Sequence, residues 1–471
     1  MRNTLYSTQQ NLRIIFITIV LFSVYAGIIR NYNYLTMVQA INAVAIVLLG
    51  LLPGIVFFLS KRESVLLPLM PLHGVFYALT FGLVALSDKL IWLAPSGSDV
   101  SNTLFLTLIG LLCLNFGYFS SQRSLGKLKS VKSLNVSISK QVYIAWILFG
   151  LFISFYVFPG LRTLPSLQQL SAPLGYLSLG TLALLVFDNK LSKNHSLIFW
   201  TALLLTLAMQ TLSGSLAPAT LLLVFVGILY WNSKRKIPWR FIVLVSLITM
   251  FLNPVKLQYR DVTWYTENVE FNLYQKATIL SDVVGEYFSS DGVLNALNED
   301  SSTINRLANI STFSQVVSMT PDQVPYWLGD SYRTLWTSFI PRFLWPEKPQ
   351  ATIGQDFGHR YEFIGANDEW TSINLPWLIE FYANFGLPGI VVGMFLIGVF
   401  FRFLVQKFRS PVNQPIEHAL SVTVVFGLFY AESNFSLMVG GILSTYVALI
   451  VIVRILSRVQ DNDPLFNLRG S

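Results

Sequence analysis

Long apolar runs, separated by short polar loops, cover most of this chain. Runs of roughly 17–25 apolar residues can cross a bilayer as helices, because a helix satisfies its own backbone hydrogen bonds where lipid cannot. Twelve runs are candidates for such helices: 13–29, 36–59, 65–86, 103–119, 142–158, 173–187, 196–212, 216–231, 238–253, 377–403, 418–431 and 435–456. The pattern predicts an all-α polytopic membrane protein with about 12 transmembrane helices.

The composition points to the same class of protein. Hydrophobic residues make up 53% of the 471 residues, charged residues only 12%, and the mean hydropathy is +0.57, which no ordinary soluble domain approaches. The first apolar run lacks a small-residue cleavage site and is followed by further runs, so we interpret it as a retained helix rather than a removed signal peptide. The single cysteine, Cys113, excludes an internal disulfide and gives no support to a structural zinc site.

Lys and Arg are concentrated on alternate loops. If both termini are cytoplasmic, the cytoplasmic segments hold 21 Lys and Arg, whereas the short outer loops hold 3, namely Arg30, Lys89 and Arg162. The positive-inside rule therefore predicts cytoplasmic termini and places the long polar segment 253–376 on the outer face. This topology accounts for the net charge of +8, so we predict no nucleic-acid partner.

The predicted topology divides the chain into three regions. Residues 1–252 hold the N-terminal transmembrane helices, 253–376 form a large outer loop, and 377–471 hold the C-terminal transmembrane helices and a cytoplasmic tail. Within the loop, apolar residues recur every three or four positions from Glu270 to Phe288 and again from Ile304 to Val317, which is typical of amphipathic helices. We therefore predict a partly helical loop whose helices lie at the membrane surface.

The outer loop is acidic overall, yet part of its positive charge is clustered. It carries eight Lys and Arg against fifteen Asp and Glu, a net charge of −7. Four of the cations fall within 28 residues, namely Arg333, Arg342, Lys348 and Arg360. Arg342 and Lys348 lie between Pro341 and Pro349, and proline fixes φ, so both cations are predicted on a stiff turn.

A stiff cationic turn just outside the bilayer suits a diphosphate headgroup whose lipid tail stays in the membrane. Arg342 offers a planar donor fork to phosphate oxygens, and Lys348 offers a point charge. The alternative is that both cations anchor the loop to lipid phosphates, or that they pair with Glu347 and Asp356.

Three further cations lie outside this cluster. Lys256 and Arg260 directly follow the ninth apolar run and form a second candidate anion site, although snorkelling to lipid headgroups is the commoner explanation for cations at this position. Arg162, in the outer loop after the fifth run, has no acidic neighbour in the sequence and is therefore available for an anion.

Candidates for a general base are Asp356, His359 and Glu380. A carboxylate or imidazole beside a diphosphate leaving group could deprotonate an acceptor hydroxyl. The alternative for His359 is an ordinary surface histidine, whereas a carboxylate at a membrane boundary, such as Glu380, is costly unless it is paired or functional. Six of the eleven tryptophans lie in or beside the outer loop, which is typical of membrane interfaces and also of sugar-stacking surfaces.

The arrangement resembles a known family. This chain has many predicted spans and one large outer loop late in the sequence. It also has two short motifs, Pro341-Arg342 with Trp345-Pro346 and Lys348-Pro349, and, after Asn374, the run Glu380-Phe381-Tyr382-Ala383-Asn384-Phe385-Gly386-Leu387-Pro388-Gly389. In these features the chain resembles the bacterial oligosaccharide repeat-unit polymerases, the Wzy-type O-antigen polymerases. The motif part of the resemblance covers roughly Lys256 to Gly393.

The resemblance implies a GT-C-like glycosyltransferase that needs no metal or other cofactor. It would act at the periplasmic face of the bacterial inner membrane, with undecaprenyl-diphosphate-linked oligosaccharides as donor and acceptor. Membrane lipids and a chain-length regulator would be its other partners. In such an enzyme the candidate substrate-binding residues are those singled out above, namely Arg342, Lys348, Arg333, Arg260, Lys256, Arg360 and Arg162, and the candidate catalytic residues are Glu380, His359 and Asp356.

Two departures from related patterns bear on this interpretation. Family members often carry an arginine after a Ser-Gly-Ser-like turn, whereas Ser213-Gly214-Ser215 is followed here by Leu216. The related O-antigen ligases carry a His-Asn pair where this chain has Leu375-Pro376, which disfavours a ligase. A lipid-linked oligosaccharide flippase or a solute transporter would place charges inside its helices, whereas the charges here lie mostly outside the apolar runs.

The predicted orientation can be tested by cysteine labelling. In a Cys113→Ser background, a cysteine introduced at Ser302 should react with an impermeant thiol reagent added to intact spheroplasts. A cysteine at Lys127 should be protected, because its loop is predicted to be cytoplasmic. The opposite labelling pattern would overturn the orientation.

Overall fold

The computed structural model describes most of the chain after its first 34 residues. The described residues are 35–59, 68–86, 97–130, 134–162, 164, 167–234, 236, 238–264, 271–288, 309–338, 340, 345, 347–348, 352–408, 414–429 and 431–461. Every regular element among them is a helix, which confirms the all-α class.

The longer helices of the first half of the chain alternate with short connections. In chain order they are α1 (Met37–Leu59), α2 (Leu69–Tyr77), α3 (Gly97–Ser120), α4 (Ile138–Val157), α5 (Gln168–Phe187), α6 (Lys193–Thr211), α7 (Leu216–Lys234) and α8 (Trp239–Trp264). Helix α2 continues through a π-helical turn, Ala78–Leu83, and a 3₁₀ turn, Val84–Leu86. Two one-turn helices, Gln122–Leu125 and Pro159–Arg162, follow α3 and α4.

Shorter helices come between α8 and the last long ones. These are α9 (Leu273–Tyr287), α10 (Asn309–Met319), α11 (Arg333–Ser338) and α12 (Ile353–Arg360), followed by α13 (Trp377–Lys407), α14 (Pro415–Phe426) and α15 (Phe435–Asp461). The 3₁₀ turns Asp330–Tyr332 and Gly427–Phe429 precede α11 and extend α14.

Eight helices of the described part are long and apolar enough to cross a bilayer. They are Met37–Phe57, Leu69–Leu86, Val100–Leu125, Ile138–Val157, Gln168–Phe187, Leu216–Lys234, Trp377–Lys407 and Phe435–Arg458. Two shorter apolar helices, Trp239–Thr249 and Pro415–Phe429, coincide with further predicted runs. The chain is thus a membrane-embedded helical protein.

The predicted count of twelve spans stays a prediction. The first predicted run, 13–29, lies outside the described residues. The run 196–212 does form a helix, α6, but this helix begins with Lys193, Asn194 and His195 and is not among the eight.

The chain folds into two compact units that interleave along the sequence. The first unit comprises Met1–Lys132, Ser302–Ser410 and Val424–Tyr446, and its largest packing interface joins α3 to α13. Glycines bring these two backbones into direct contact, since a Cβ at Gly117 would lie 2.1 Å from the Phe395 carbonyl oxygen. Any larger residue at this crossing would push the helices apart.

Helix α10 belongs to the first unit and packs against α3 and the π-helical turn of α2. Its buried face presents Ile310, Phe313 and Val316, three residues apart, and the Phe313 ring lies 6.4 Å from that of Phe81. A helix with one buried face is what the apolar period around Ile310 predicts, although residues 301–308, where that predicted helix begins, lie outside the described residues.

The second unit comprises Ser133–Ser301, Pro411–Thr423 and Val447–Ser471. Within it, α4 packs on α5, α5 and α6 on α7, α7 on α8, and α8 on α9. Helix α9 begins with a capping box, in which Asn272 and Gln275 exchange side-chain to backbone hydrogen bonds of 2.9 Å. It buries Val283 and Tyr287 against Val255 and lies within the stretch Glu270 to Phe288, whose apolar period predicts a helix.

Candidate functional site

Helix α13 is interrupted at Gly386, within the run on which the family resemblance depends. Gly386 has φ 63° and ψ −146°, so the helix consists of a short first half, 377–385, and a longer second half, 387–407. At a rise of about 1.5 Å per residue the second half is about 31 Å long, enough to cross the roughly 30 Å hydrocarbon core alone. The membrane crossing therefore does not require the first half, which carries Glu380.

A break in a helix leaves backbone carbonyl groups without their usual partners. Residues 325–333, here called the clamp segment, supply donors to them. The backbone N–H of Trp327 donates to the Ala383 carbonyl at 2.9 Å, and that of Leu328 donates to the Asn384 carbonyl at 3.1 Å. The Gly329 N–H donates to the Asn384 side-chain oxygen at 2.9 Å. Three successive N–H groups thus attach the clamp segment to the broken end.

Left-handed backbone conformations allow the clamp segment to make this contact. Leu328 has φ 52° and Gly329 has φ 99°, in the region that favours glycine. At the break itself, a Cβ added to Gly386 would lie 2.7 Å from the Tyr326 hydroxyl oxygen. Gly386 is therefore required both by its own φ and by the closeness of the clamp segment.

Glu380 is completely buried in the first half of α13 and accepts two short hydrogen bonds. The Ser331 hydroxyl donates to Oε1 at 2.7 Å, and the Phe435 backbone N–H donates to Oε2 at 2.7 Å. Asn384 Nδ2 completes the cluster by donating to the Ser331 hydroxyl oxygen at 2.9 Å and to the Glu380 carbonyl at 2.8 Å. The carboxylate thus joins the clamp segment, α13 and the start of α15.

The Glu380 carboxyl group lies at a helix terminus rather than beside a cation. Among the described residues no Lys or Arg forms an ion pair with Glu380. Phe435 is the first residue of α15, and the N-terminus of a helix carries partial positive charge that favours an anion. The nearby Tyr332 phenol has its pKa raised, first by burial and then by the charge of Glu380, so it stays protonated and neutral.

Helix α12 carries Arg360 to the clamp segment. The Arg360 guanidinium lies 5.5 Å from the centre of the Trp327 ring, and its Nη2 donates to the Pro325 carbonyl. The Phe357 ring, one turn earlier on α12, lies 6.2 Å from the Trp327 ring and is completely buried. Arg333, at the other end of the clamp segment, is exposed and pairs with Asp330 at 3.4 Å.

The other two predicted bases lie on α12 as well. Asp356 is exposed and accepts a hydrogen bond of 3.0 Å from the Thr352 hydroxyl, and His359 is half-buried. The structure therefore brings Glu380, Arg333, Arg360, Asp356 and His359 onto the clamp segment and the two helices attached to it.

The remaining predicted residues are Lys348, Arg342, Lys256, Arg260 and Arg162. Lys348 donates from Nζ to the Ile340 carbonyl at 3.1 Å, and Arg342 lies outside the described residues. Lys256 and Arg260 lie on α8 in the second unit, and Arg162 ends the one-turn helix Pro159–Arg162 of the same unit.

Sequence reasoning missed the polar partners of Glu380. Asn384 lies four residues after Glu380 and therefore on the same helix face, a spacing that could have identified it. Ser331 gives no such signal, because it is 49 residues away in the sequence. Glu432 was also missed; it accepts hydrogen bonds from Asn309 at 3.4 Å and Asn374 at 3.0 Å.

Comparison with known proteins identifies a family without assigning chemistry. The model of a family described as a domain of unknown function (DUF8712) matches residues 124–461, more than half of the chain, so the chain belongs to that family. The matched region contains the clamp segment and the whole of α13. No curated protein and no solved structure matches the chain.

The break in α13 gives a stability prediction. Gly386→Ala should lower the free energy of unfolding by about 1–3 kcal/mol, because a left-handed conformation with a Cβ is strained and the added methyl meets Tyr326. The matched control is Gly441→Ala, in α15, where a Cβ would meet nothing within 4 Å and alanine is the better helix former. Thermal unfolding in detergent measures both variants. Equal midpoints for the two would contradict the requirement for glycine at the break.

Proposed function

We propose that the chain is a glycosyltransferase that polymerises polyprenyl-diphosphate-linked oligosaccharide repeat units into a surface polysaccharide. The reaction takes place at the outer face of the bacterial inner membrane. One observation carries the proposal: the run that resembles the O-antigen polymerases coincides with the break in α13, and the clamp segment holds a buried carboxylate and two arginines around that break.

The depth of this cluster suits a lipid-linked substrate. Because the second half of α13 is long enough to cross the hydrocarbon core, the break and the clamp segment can lie at the level of the lipid headgroups. A diphosphate at that level keeps its polyprenyl tail in the bilayer while its glycan extends into water.

Transfer requires the anomeric carbon of the donor to bond to an acceptor hydroxyl oxygen while its bond to the diphosphate oxygen breaks. Negative charge develops on the leaving diphosphate, and preorganised cations stabilise it without a metal. We assign this role to Arg342, Lys348, Arg333 and Arg360. Lys256, Arg260 and Arg162 are proposed as secondary contacts along the lipid headgroups.

The acceptor hydroxyl must lose its proton to a base that can touch it. Glu380 has no exposed surface and both of its oxygens already accept hydrogen bonds, so it can act as that base only after the clamp segment lifts away. Asp356 and His359 are accessible without such a movement. We therefore assign proton transfer to α12, and we assign Glu380 the role of holding the clamp segment in place.

The function is tested by the glycans of a strain that lacks this chain. A polymerase defect leaves surface glycans capped with single repeat units. Full-length chains left on the lipid carrier would instead identify a ligase, and repeat units trapped on the cytoplasmic leaflet would identify a flippase. Either of these profiles would overturn the proposal.

Arginine variants test the diphosphate assignment in the same strain. Arg342→Ala and Arg360→Ala should slow chain extension by about ten- to a hundredfold, because one charge-assisted hydrogen bond to the transition state contributes about 1.5–3 kcal/mol. Arg342→Lys should rescue poorly, since the planar fork is lost. Lys276→Ala, on α9 in the same outer segment, is the control and should leave glycan length unchanged. Normal glycan length with unchanged protein abundance in Arg342→Ala would rule Arg342 out.

Paired variants separate the two possible roles of Glu380. If Glu380 holds the clamp segment, Glu380→Gln and Ser331→Ala should lower activity and thermal stability together. Glutamine replaces one of the two accepting oxygens by a donor, Ser331→Ala removes the donor to the other oxygen, and each loss costs roughly 1–3 kcal/mol. Glu369→Ala, in an exposed loop, serves as the control for both measurements. A loss of polymerisation of about a hundredfold in Glu380→Gln with near-normal activity in Ser331→Ala would return the role of general base to Glu380.

A further inference from the structure

Arg402 is a buried cation at the end of α13 farthest from the break. It lies 15 residues beyond the start of the second half of the helix, or about 22 Å along its axis, and is only 6% exposed. Its guanidinium lies 5.5 Å from the centre of the Tyr118 ring on α3 and also interacts with the Tyr118 hydroxyl. Its Nε is buried and has no hydrogen-bond partner in the described part of the chain.

The helix crossing explains why the guanidinium lies at this position. A Cβ at Gly398 would lie 2.2 Å from the Leu114 carbonyl oxygen, so α3 and α13 touch through their backbones there. Arg402 comes one turn after Gly398, and Tyr118 directly follows Gly117 of the same contact. The arginine therefore fills the space where the two helices leave contact.

Among the described residues no acidic side chain forms an ion pair with Arg402. The sequence contains no Asp or Glu between Asp99 and Asp188, or between Glu380 and Glu417. Further cations lie in the turn that follows α3 and at the end of α13. Arg123, in the one-turn helix that contacts α13, is exposed, as are Lys127 and Lys129 after it, and Lys407 ends α13.

A nearly buried guanidinium with no anion beside it is unfavourable, because the charge has lost most of its hydration and gained no counter-charge. Ionisable side chains inside membrane-spanning helices are rare and usually mark a binding or transport site. Arginine stays charged at any physiological pH, so it cannot relieve this cost by losing its proton. An anion from outside the protein would relieve it.

We propose that Arg402, with Tyr118 and the basic turn that follows α3, binds the phosphate of an anionic membrane lipid headgroup. The guanidinium fork matches phosphate oxygens, and the exposed cations of the turn provide the surrounding positive field. A bilayer lipid brings its phosphate to the end of α13 without leaving the membrane. This site lies at the other end of the second half of α13 from the break, and its assignment does not depend on the proposed glycosyltransferase activity.

Lipid binding by the purified full-length protein tests the site. Delipidated protein in neutral detergent is titrated with phosphatidylglycerol, with phosphatidylcholine or with inorganic phosphate. Bound lipid is counted by native mass spectrometry, and the midpoint of thermal unfolding is recorded. The wild type should retain phosphatidylglycerol selectively and be stabilised by it. Arg402→Met, which fills the space without the charge, should weaken this binding by about ten- to a hundredfold.

Two further variants keep the test decisive. Arg454→Ala removes an exposed cation from α15 and should bind phosphatidylglycerol as the wild type does. Arg402→Lys keeps the charge but not the fork, and should fold and bind several-fold more weakly even if Arg402→Met does not fold. If Arg402→Met folds and binds phosphatidylglycerol as tightly as the wild type does, the site is overturned. If Arg402→Met does not fold, wild-type binding by Arg402→Lys overturns it instead. If inorganic phosphate stabilises the protein as much as phosphatidylglycerol does, the bound phosphate group does not come from a lipid.

Discussion

Backbone hydrogen bonding at the break in α13 is the constraint on which the candidate site depends. The helix end at the break is buried, with Ala383 and Asn384 completely inaccessible to solvent, so its carbonyl groups need partners from the protein itself. The clamp segment provides them through the N–H groups of Trp327 and Leu328, and the Gly329 N–H donates to the Asn384 side chain beside them. The same contact fixes where Arg333 and Arg360 lie, because one belongs to the clamp segment and the other rests on its tryptophan. The geometry of the cations thus follows from the need to satisfy the backbone.

Glu380 gives this arrangement its specificity. Replacing a buried, hydrogen-bonded carboxylate by an apolar side chain would leave the Ser331 hydroxyl and the first N–H of α15 without partners, which is costly. A carboxylate, by contrast, has enough acceptor capacity for both and benefits from the positive end of α15. The partners of Glu380 therefore have one favourable arrangement, which orders the clamp segment relative to the helix.

The sequence predicts the helical class and the amphipathic helix α9 well, because both depend on local hydrophobic period. It is less informative where structure depends on tertiary contacts. The apolar pattern suggests a continuous run at 377–403, and only Gly386 followed by Leu387-Pro388 signals that the helix is interrupted. Among the candidate residues, Glu380 could be selected as an unusual carboxylate at a membrane boundary, and Arg360 as part of a cationic cluster. Ser331 could not, since a serine in a polar loop has no feature that reveals a partner 49 residues away.

The hydrogen bonds of Glu380 also have a consequence for biosynthesis. They join three stretches of chain, with Ser331 49 residues before Glu380 and Phe435 55 residues after it. A ribosome delivers these stretches in order, so the carboxylate emerges long before the last of its two donors exists. Until α15 has been made and inserted, the Glu380 carboxyl group in the first half of α13 lacks the hydrogen bond from the Phe435 backbone N–H. The cluster is therefore completed only when nearly the whole chain has entered the membrane, and a polypeptide that stops short of α15 has the clamp segment without one of the two hydrogen bonds to Glu380.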